Sequence, residues 1–355
     1  MLIQSRAWPS NNSERVTGRM EETLRDLQQA MAAHRQALAE SSVLALETPP
    51  APPPSSPLPQ PSDERQRLMQ LLAADIERVS GIEMTGLIEA KLDRVLASVE
   101  FRDLAAWIGR LHLLPGDDPE WLSLIESLTV HETFFHRDRA QLKLLGQILH
   151  GIIAIAASRG RHLLRLWSAG CATDEEAYTL AILALFEIRD AGFAEKDRDG
   201  GIVCRPPWRL DVLGTDISRL VLAQAKAAVY STEGLSAFRD LPPELRHFFP
   251  RLRGCEAAGT ERRGVHETVR RHIRFRQFNL MAGAPPETGF DIVLCRNVLI
   301  YLTPAGRTRA QSLCRQALRR GGHLLLGPTD ALAEPAAYEP CWGTGAVAYA
   351  LKSAE

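Results

Sequence analysis

The chain of 355 residues carries a formal net charge of -1 at pH 7, with 45% hydrophobic and 24% charged residues. That length suggests about two domains, and the balance is that of a globular chain, not a disordered or collagen-like one. Near-neutrality leaves no field that would draw the whole molecule to nucleic acid or an anionic membrane, and six scattered cysteines with no CxxC pair argue against a metal site or a disulfide scaffold.

The start lacks a basic segment followed by an apolar core, so no signal peptide is expected. No run approaches the roughly 20 apolar residues of a membrane span. Free thiols in a reducing cytoplasm are the simplest account of the cysteines. Met20, Leu24, Leu27, Met31, His34 and Leu38 fall at alternating spacings of four and three, a short heptad seam broken by His34. Two readings stand open for it: a partner-docking helix, or a marginal helix in a tail. Residues Pro49 to Pro61, PPAPPPSSPLPQP, form a proline-rich linker, which favours extended polyproline II.

From about residue 63 to 137, apolar residues repeat at helical spacing in four groups: Leu68 to Val79, Leu87 to Leu96, Leu104 to Leu111 and Trp121 to Leu128. A small all-helical domain and linker over 62–138 is expected, with Lys91 and Arg94 on a solvated face. The linker segment Val130 to Asp138, VHETFFHRD, places Thr133 and Arg137 four residues apart, on one face if helical. After it the pattern alternates in the α/β manner over 139–355.

Leu163 to Tyr178, LLRLWSAGCATDEEAY, reads as a buried strand, a small-residue turn and a helix. Thr173 can cap that helix, and Asp174, Glu175 and Glu176 suit its positive end. Such a strand–turn–helix receives nucleotide-like ligands in doubly wound folds. Three carboxylates do not suit a phosphate, so the ligand there is expected to be uncharged or cationic, as S-adenosylmethionine is. Arg209 to Ile217 is a strand ending in Asp216, a position from which an acidic residue accepts ribose hydroxyls. A helix is expected over Ser218 to Tyr230. Residues 231–278 read as an inserted antiparallel β subdomain that includes an exposed strand, HIRFRQFNL. Phe290 to Asn297 is a central strand. Thr303 and Pro304 then open a helix that Gly321 and Gly322 end. Leu324 to Gly327 and Val347 to Leu351 complete the strands.

Taken together, Thr133 to Asp138, the SAGCATDEEAY stretch, Gly214 to Ser218, Asn279-Leu280 and Cys295 to Tyr301 (CRNVLIY) resemble the CheR family. These are S-adenosylmethionine-dependent glutamate O-methyltransferases of bacterial chemoreceptors, and the likeness runs over roughly residues 65 to 352. It implies a Rossmann-like α/β methyltransferase domain with a small antiparallel β insertion, preceded by a small all-α domain. It implies S-adenosylmethionine as cofactor, S-adenosylhomocysteine as product, and the cytoplasmic domain of a methyl-accepting chemotaxis protein as partner. Neither nucleic acid nor membrane insertion is implied.

Carried over residue by residue, the resemblance assigns Thr133 and Arg137 to a linker closing over the cofactor. Gly170 belongs to the turn, and Glu175, with Glu176, would hold the methionine part or support the loop. Asp216 would take the ribose, Asn279 and Leu280 would frame the adenine, and Arg296, Asn297 and Tyr301 would line the reacting end. Arg137 and Tyr301 are the candidate catalytic pair. The chain departs from the family's usual glycine at Asp174, proline at Ala177, asparagine at His131 and aromatic at His136. Its GxxE tail motif reads Gly327-Pro328-Thr329-Asp330. These departures leave a second reading, a catalytically impaired cofactor-binding or scaffold module.

Overall fold

A computed structural model describes residues 61–97, 101–233, 236–252 and 261–352. The heptad seam and the proline-rich linker lie outside them. Residues 68–97 and 108–352 belong to one compact unit, which holds everything below. Residues 61–67 and 101–107 group separately and supply the first turns of two helices.

Among the described residues four helices come first: α1 (Pro61–Ser80), α2 (Gly86–Leu96), α3 (Phe101–Leu113) and α4 (Pro119–Leu128). Asp118 caps α4 by accepting the Glu120 N–H at 2.9 Å, with Pro119 in the first turn. Ile88, Leu92 and Leu96 of α2 are buried, as are Leu124, Ile125 and Leu128 of α4. Lys91 is not on a solvated face. Its Nζ donates to Leu128 O at 3.1 Å and Thr129 O at 2.9 Å, satisfying carbonyls that the end of α4 leaves open.

Helix α5 (Arg139–Ser158) is not among the elements expected from the sequence. It is long and apolar enough to cross a membrane by length and composition. Leu142, Leu145, Leu149 and Ile153 nevertheless belong to the core, packed with residues of the following helix. Strand β1 (Leu163–Ala169) and helix α6 (Glu175–Asp190) follow. A hairpin comes next, β2 (Ala194–Lys196) with β3 (Ile202–Cys204), then β4 (Arg209–Asp216), α7 (Arg219–Ala227) and β5 (Val229–Ser231). The chain continues through β6 (Arg262–Gly264), α8 (Glu267–Arg270), β7 (Ile273–Gln277), β8 (Phe290–Cys295), α9 (Pro304–Ala317), β9 (Leu318–Leu326), β10 (Tyr338–Gly343) and β11 (Ala346–Leu351).

The main sheet has seven strands in the order β10-β11-β9-β8-β1-β4-β7. β7, β4, β1, β8 and β9 run parallel, β11 runs antiparallel to β9, and β10 pairs antiparallel with β11. This is the Rossmann-like α/β architecture expected. β8 is buried along its whole length, and apolar residues cover both faces of the sheet centre. Chain order reverses beside β1, so the turns after β1, β4 and β8 open a crevice at the carboxyl ends of the strands.

Two expectations are corrected. Residues 273–277 do not belong to the insert: β7 pairs with β4 as the edge of the main sheet, and edge position explains its alternating burial. Among the described residues the inserted sheet is only β5 with β6. The second correction concerns Gly321 and Gly322, which do not end α9. That helix stops at Ala317, and Gly321 (φ 70°) sits within β9, where the pairing with β8 slips between Phe290 and Ile292. At the amino end of β8, Asp291 is wholly buried; it accepts from Arg161 Nη2 at 2.8 Å, from the Arg165 N–H at 2.9 Å and from Arg319.

Candidate active site

A cleft of about 1250 Å³, counting its open mouth, lies over the carboxyl ends of β1, β4 and β8. Its floor is the turn after β1. The N–H groups of Gly170 and Cys171 both reach Thr215 O, at 2.8 and 2.9 Å, which pins the turn to β4. Gly170 has φ 80°, and a Cβ there would lie 2.4 Å from Val298 Cγ2. Gly170→Ala should therefore lower the unfolding free energy by about 2–3 kcal/mol, from left-handed strain plus the clash, as measured by urea titration.

The turn enters α6 differently from the expected cap. Thr173 does not cap; its hydroxyl donates to Glu175 Oε2 at 2.7 Å. Asp174 is left-handed (φ 78°) and fully buried, and among the described residues its carboxyl has no hydrogen-bond partner beyond the Cys171 thiol beside it. Burial pushes this carboxyl well above the usual carboxylate range, and the charges of Glu175, Glu176 and Asp216 add to the effect. The neighbouring Cys171 thiol is pushed up by burial too, and it faces Ala172 O at 3.8 Å.

Asp174→Gly should raise the unfolding free energy by about 2 kcal/mol, because it removes a buried carboxyl with only a weak thiol donor beside it and the left-handed strain together. The pH sign follows from linkage. The native state keeps a proton on Asp174 that the unfolded chain releases near pH 4, so this group's contribution falls as pH rises from there towards the native pKa. The glycine variant should lose that slope in denaturant titrations run across pH.

Asp216 ends β4 at the cleft. Oδ2 accepts the Ala172 N–H at 2.9 Å and Oδ1 the Ser218 N–H at 3.0 Å. Two backbone donors orient the carboxylate and leave it acceptor capacity for a ligand. His131 Nε2 lies 3.9 Å from Oδ1 and has no hydrogen-bond partner among the described residues. Burial pulls this imidazole below its ordinary range, against the pull of Asp216, so it is neutral at pH 7.

The linker over the cleft is anchored at four points. Phe135 is wholly buried against Tyr230, Phe238 and Phe249, with ring centroids at 4.9, 5.1 and 4.4 Å. Its N–H reaches Ala237 O at 2.8 Å, and the His136 N–H reaches Thr179 Oγ1 at 3.2 Å. The fourth anchor is Arg296. Its guanidinium donates to Gln141 Oε1 at 2.7 Å, Glu176 Oε2 at 3.1 Å, Arg137 O at 3.0 Å and Asp138 Oδ2 at 2.7 Å. His136 and Asp138, held on either side of Arg137, are both left-handed. Ala172, Asp174 and Asn297 are left-handed as well, so strain gathers around the cleft, as it does at functional sites.

The structure gathers Thr133, Arg137, Gly170, Glu176, Asp216, Asn279, Leu280, Arg296, Asn297 and Tyr301 around this one cleft. Glu175 is not in its wall. Buried and tied to Thr173, its carboxylate turns away, while Glu176 faces the cleft between Ser168 Oγ at 2.7 Å and Arg296. Asn279 carries a structural duty besides: Nδ2 donates to Val79 O at 2.8 Å, tying the end of α1 to the sheet. Arg296 is almost wholly buried in its four contacts and so does not present a free guanidinium. Sequence reasoning passed over Gln141, which no local pattern marks, and gave no individual role to Ser168 and Val298, which lie inside the stretches that carry the resemblance. His131 stood out only as a departure from the family pattern.

Residues 131–346 match the family described as "CheR methyltransferase, SAM binding domain". The chain belongs to the CheR methyltransferase family. Chemotaxis protein methyltransferase 1 of Pseudomonas aeruginosa is 28% identical over 268 residues, covering 74% of this chain and 89% of that protein. The chemotaxis protein methyltransferase of Vibrio anguillarum is 28% identical over 273 residues, 76% of this chain and 90% of that one. An uncharacterized 104.1 kDa protein of Rhodobacter capsulatus is 30% identical over 276 residues, 78% of this chain, and there the chain spans only 26% of the relative's length.

The cofactor of this CheR domain is S-adenosylmethionine, and the donor set suits it. The cleft offers carboxylate acceptors at Glu176 and Asp216, a guanidinium at Arg137, apolar walls at Ile217, Phe278 and Leu280, and a glycine floor that any side chain would fill. A cationic sulfonium and ammonium, a ribose diol and an α-carboxylate each find a group of matching charge or polarity among these.

Proposed function

We propose that this protein transfers the methyl group of S-adenosylmethionine to glutamate carboxylates on the cytoplasmic domain of a chemoreceptor, in the cytoplasm, leaving glutamate methyl esters. The observation that carries the reading is that Arg137 and Tyr301 line the same cleft as Asp216 and Glu176. In this reading the bound cofactor supplies an electrophilic methyl group on a sulfonium. Asp216 holds the ribose hydroxyls, and Asn279 and Leu280 frame the adenine. Glu176 faces the positive methionine part, with Gly170, Thr133 and Asn297 completing the wall. Arg137 and Tyr301 orient the substrate carboxylate for in-line attack. A carboxylate with an ordinary pKa of about 4.3 is ionised near neutrality, so no side chain needs to remove a proton. Alignment and exclusion of water are what the protein must provide. Cys171 and Cys295 are both pushed to high pKa, the second by its neighbour Cys314 and by burial, so neither presents a thiolate.

The impaired-module reading rests on the altered tail, Gly327 to Asp330, and on Asp174. Its side chain packs beneath the turn against Gly214 and is not part of the cleft wall, which supports the active reading. The test is to incubate the purified protein with methyl-labelled S-adenosylmethionine and a soluble receptor cytoplasmic fragment. The expected label is released as methanol by mild alkali and is absent when the receptor's modified glutamates are alanine. Alkali-stable label, or none with cofactor bound, would sink the proposal.

A further inference from the structure

Glu132, Phe134 and Arg137 of the cleft wall meet Arg239, which lines the adjoining pocket with Phe238 and Arg263, in an arrangement that methyl transfer does not require. Phe134 is a half-buried wall residue. The Arg239 guanidinium covers its ring, with Cζ 3.8 Å from the centroid, and Arg137 Cζ lies 5.6 Å from the same centroid. Arg239 comes from the segment before the Leu241 turn, whereas Arg137 comes from the linker. Two cations from separate parts of the chain thus share one aromatic ring. One N–H group of the Arg239 guanidinium reaches Glu132 Oε1 at 3.0 Å. Glu132 also accepts Arg137 Nη1 at its backbone carbonyl, at 3.2 Å. Its side chain is 67% exposed against 27% for Arg239, so the Glu132 carboxylate is the part of the pair that water already reaches. An exposed ion pair of this kind is weak and readily exchanged for another carboxylate.

We infer that Arg239 is a substrate-recognition residue, which takes a second carboxylate of the acidic receptor segment while Arg137 takes the one to be methylated, and that Glu132 occupies its place until substrate arrives. This rests on the glutamate-methylating reading above and deepens it. The enzyme would then prefer a glutamate with another acidic side chain close by. On neighbouring turns of a helix such groups are about 5–6 Å apart at Cβ. No covalent step is added.

The experiment compares the wild type with Arg239→Gln and Glu132→Gln, using a receptor fragment and a version whose acidic neighbours of the methylated glutamate are glutamine. Arg239→Gln should raise KM for the acidic fragment at least about fivefold, with a much smaller change in kcat, and flatten the dependence of KM on salt. Glu132→Gln should lower KM. Both differences should vanish with the glutamine-flanked fragment. Titration calorimetry with S-adenosylhomocysteine checks that the variants keep the cofactor site, a readout that a merely structural role for Arg239 would move. Fragment binding measured by fluorescence anisotropy stands apart from turnover: if the wild type binds the fragment without methylating it, the proposed function fails while Arg239 is still tested. Unchanged KM and binding in both variants would overturn the inference.

Discussion

Arg296→Met should lower the unfolding free energy by about 3–5 kcal/mol, the range for breaking a buried ion pair by removing one partner. Methionine keeps much of the volume and removes every donor. Glu176 and Asp138, with side chains 15% and 29% exposed, would then lack their cation, and Gln141 Oε1 would lose its partner. The loss reaches beyond the pair itself. The left-handed residues His136 and Asp138 are held by the bonds from Arg296 to Arg137 O and Asp138 Oδ2, so the variant should also release the linker. Urea unfolding at pH 7 measures the first effect, and protease sensitivity near residue 137 the second. Arg296→Lys should fall between, since an ammonium is a compact charge that cannot span the same four acceptors. A loss under about 1 kcal/mol would mean that these carboxylates are solvated in the native state and that Arg296 clamps nothing.

Arg137→Ala should reduce kcat/KM about 10²–10³-fold, equivalent to about 2.7–4 kcal/mol of transition-state stabilisation. The size of the effect comes from preorganisation. The residue sits on a linker fixed through Phe135, His136 and Arg296, so its guanidinium waits in place and does not have to be recruited from solution. Truncation should leave stability almost unchanged, because its side chain donates an exposed hydrogen bond to Glu132 O at 3.2 Å. Arg137→Lys should retain part of the activity, keeping the charge but losing the planar fork. Steady-state methyl transfer to the receptor fragment, with cofactor affinity measured separately, distinguishes the two losses. Turnover near that of the wild type would remove Arg137 from the reacting centre.

Much of the cleft was legible in the order of residues. Strong local patterns announce β1, β4 and β8 as apolar runs, each followed by the residues that face the ligand: Gly170, Asp216 and Asn297. Such runs are readable because a strand buried on both faces has no polar alternation to blur it. The helix start at Thr303-Pro304 was equally plain, and there the hydroxyl does accept the Gly306 N–H at 3.1 Å. Family likeness added the roles that no pattern carries.

What stayed hidden depends on contacts between segments far apart in the chain. Whether Glu175 or Glu176 faces the cleft turns on one helical step of about 100°, set by the left-handed backbone at Asp174 and by Ser168 and Arg296 waiting on one side. The strand at 273–277 alternates like an exposed ribbon, yet its backbone edge is taken up by β4. Arg296 reads as one more polar residue after a strand, and folding makes it the buried centre of four bonds to residues as distant as Arg137 and Gln141. Periodicity and capping act over a few residues and are written locally. The placing of a buried charge is a matter of desolvation and partner geometry, which exist only once the segments have met.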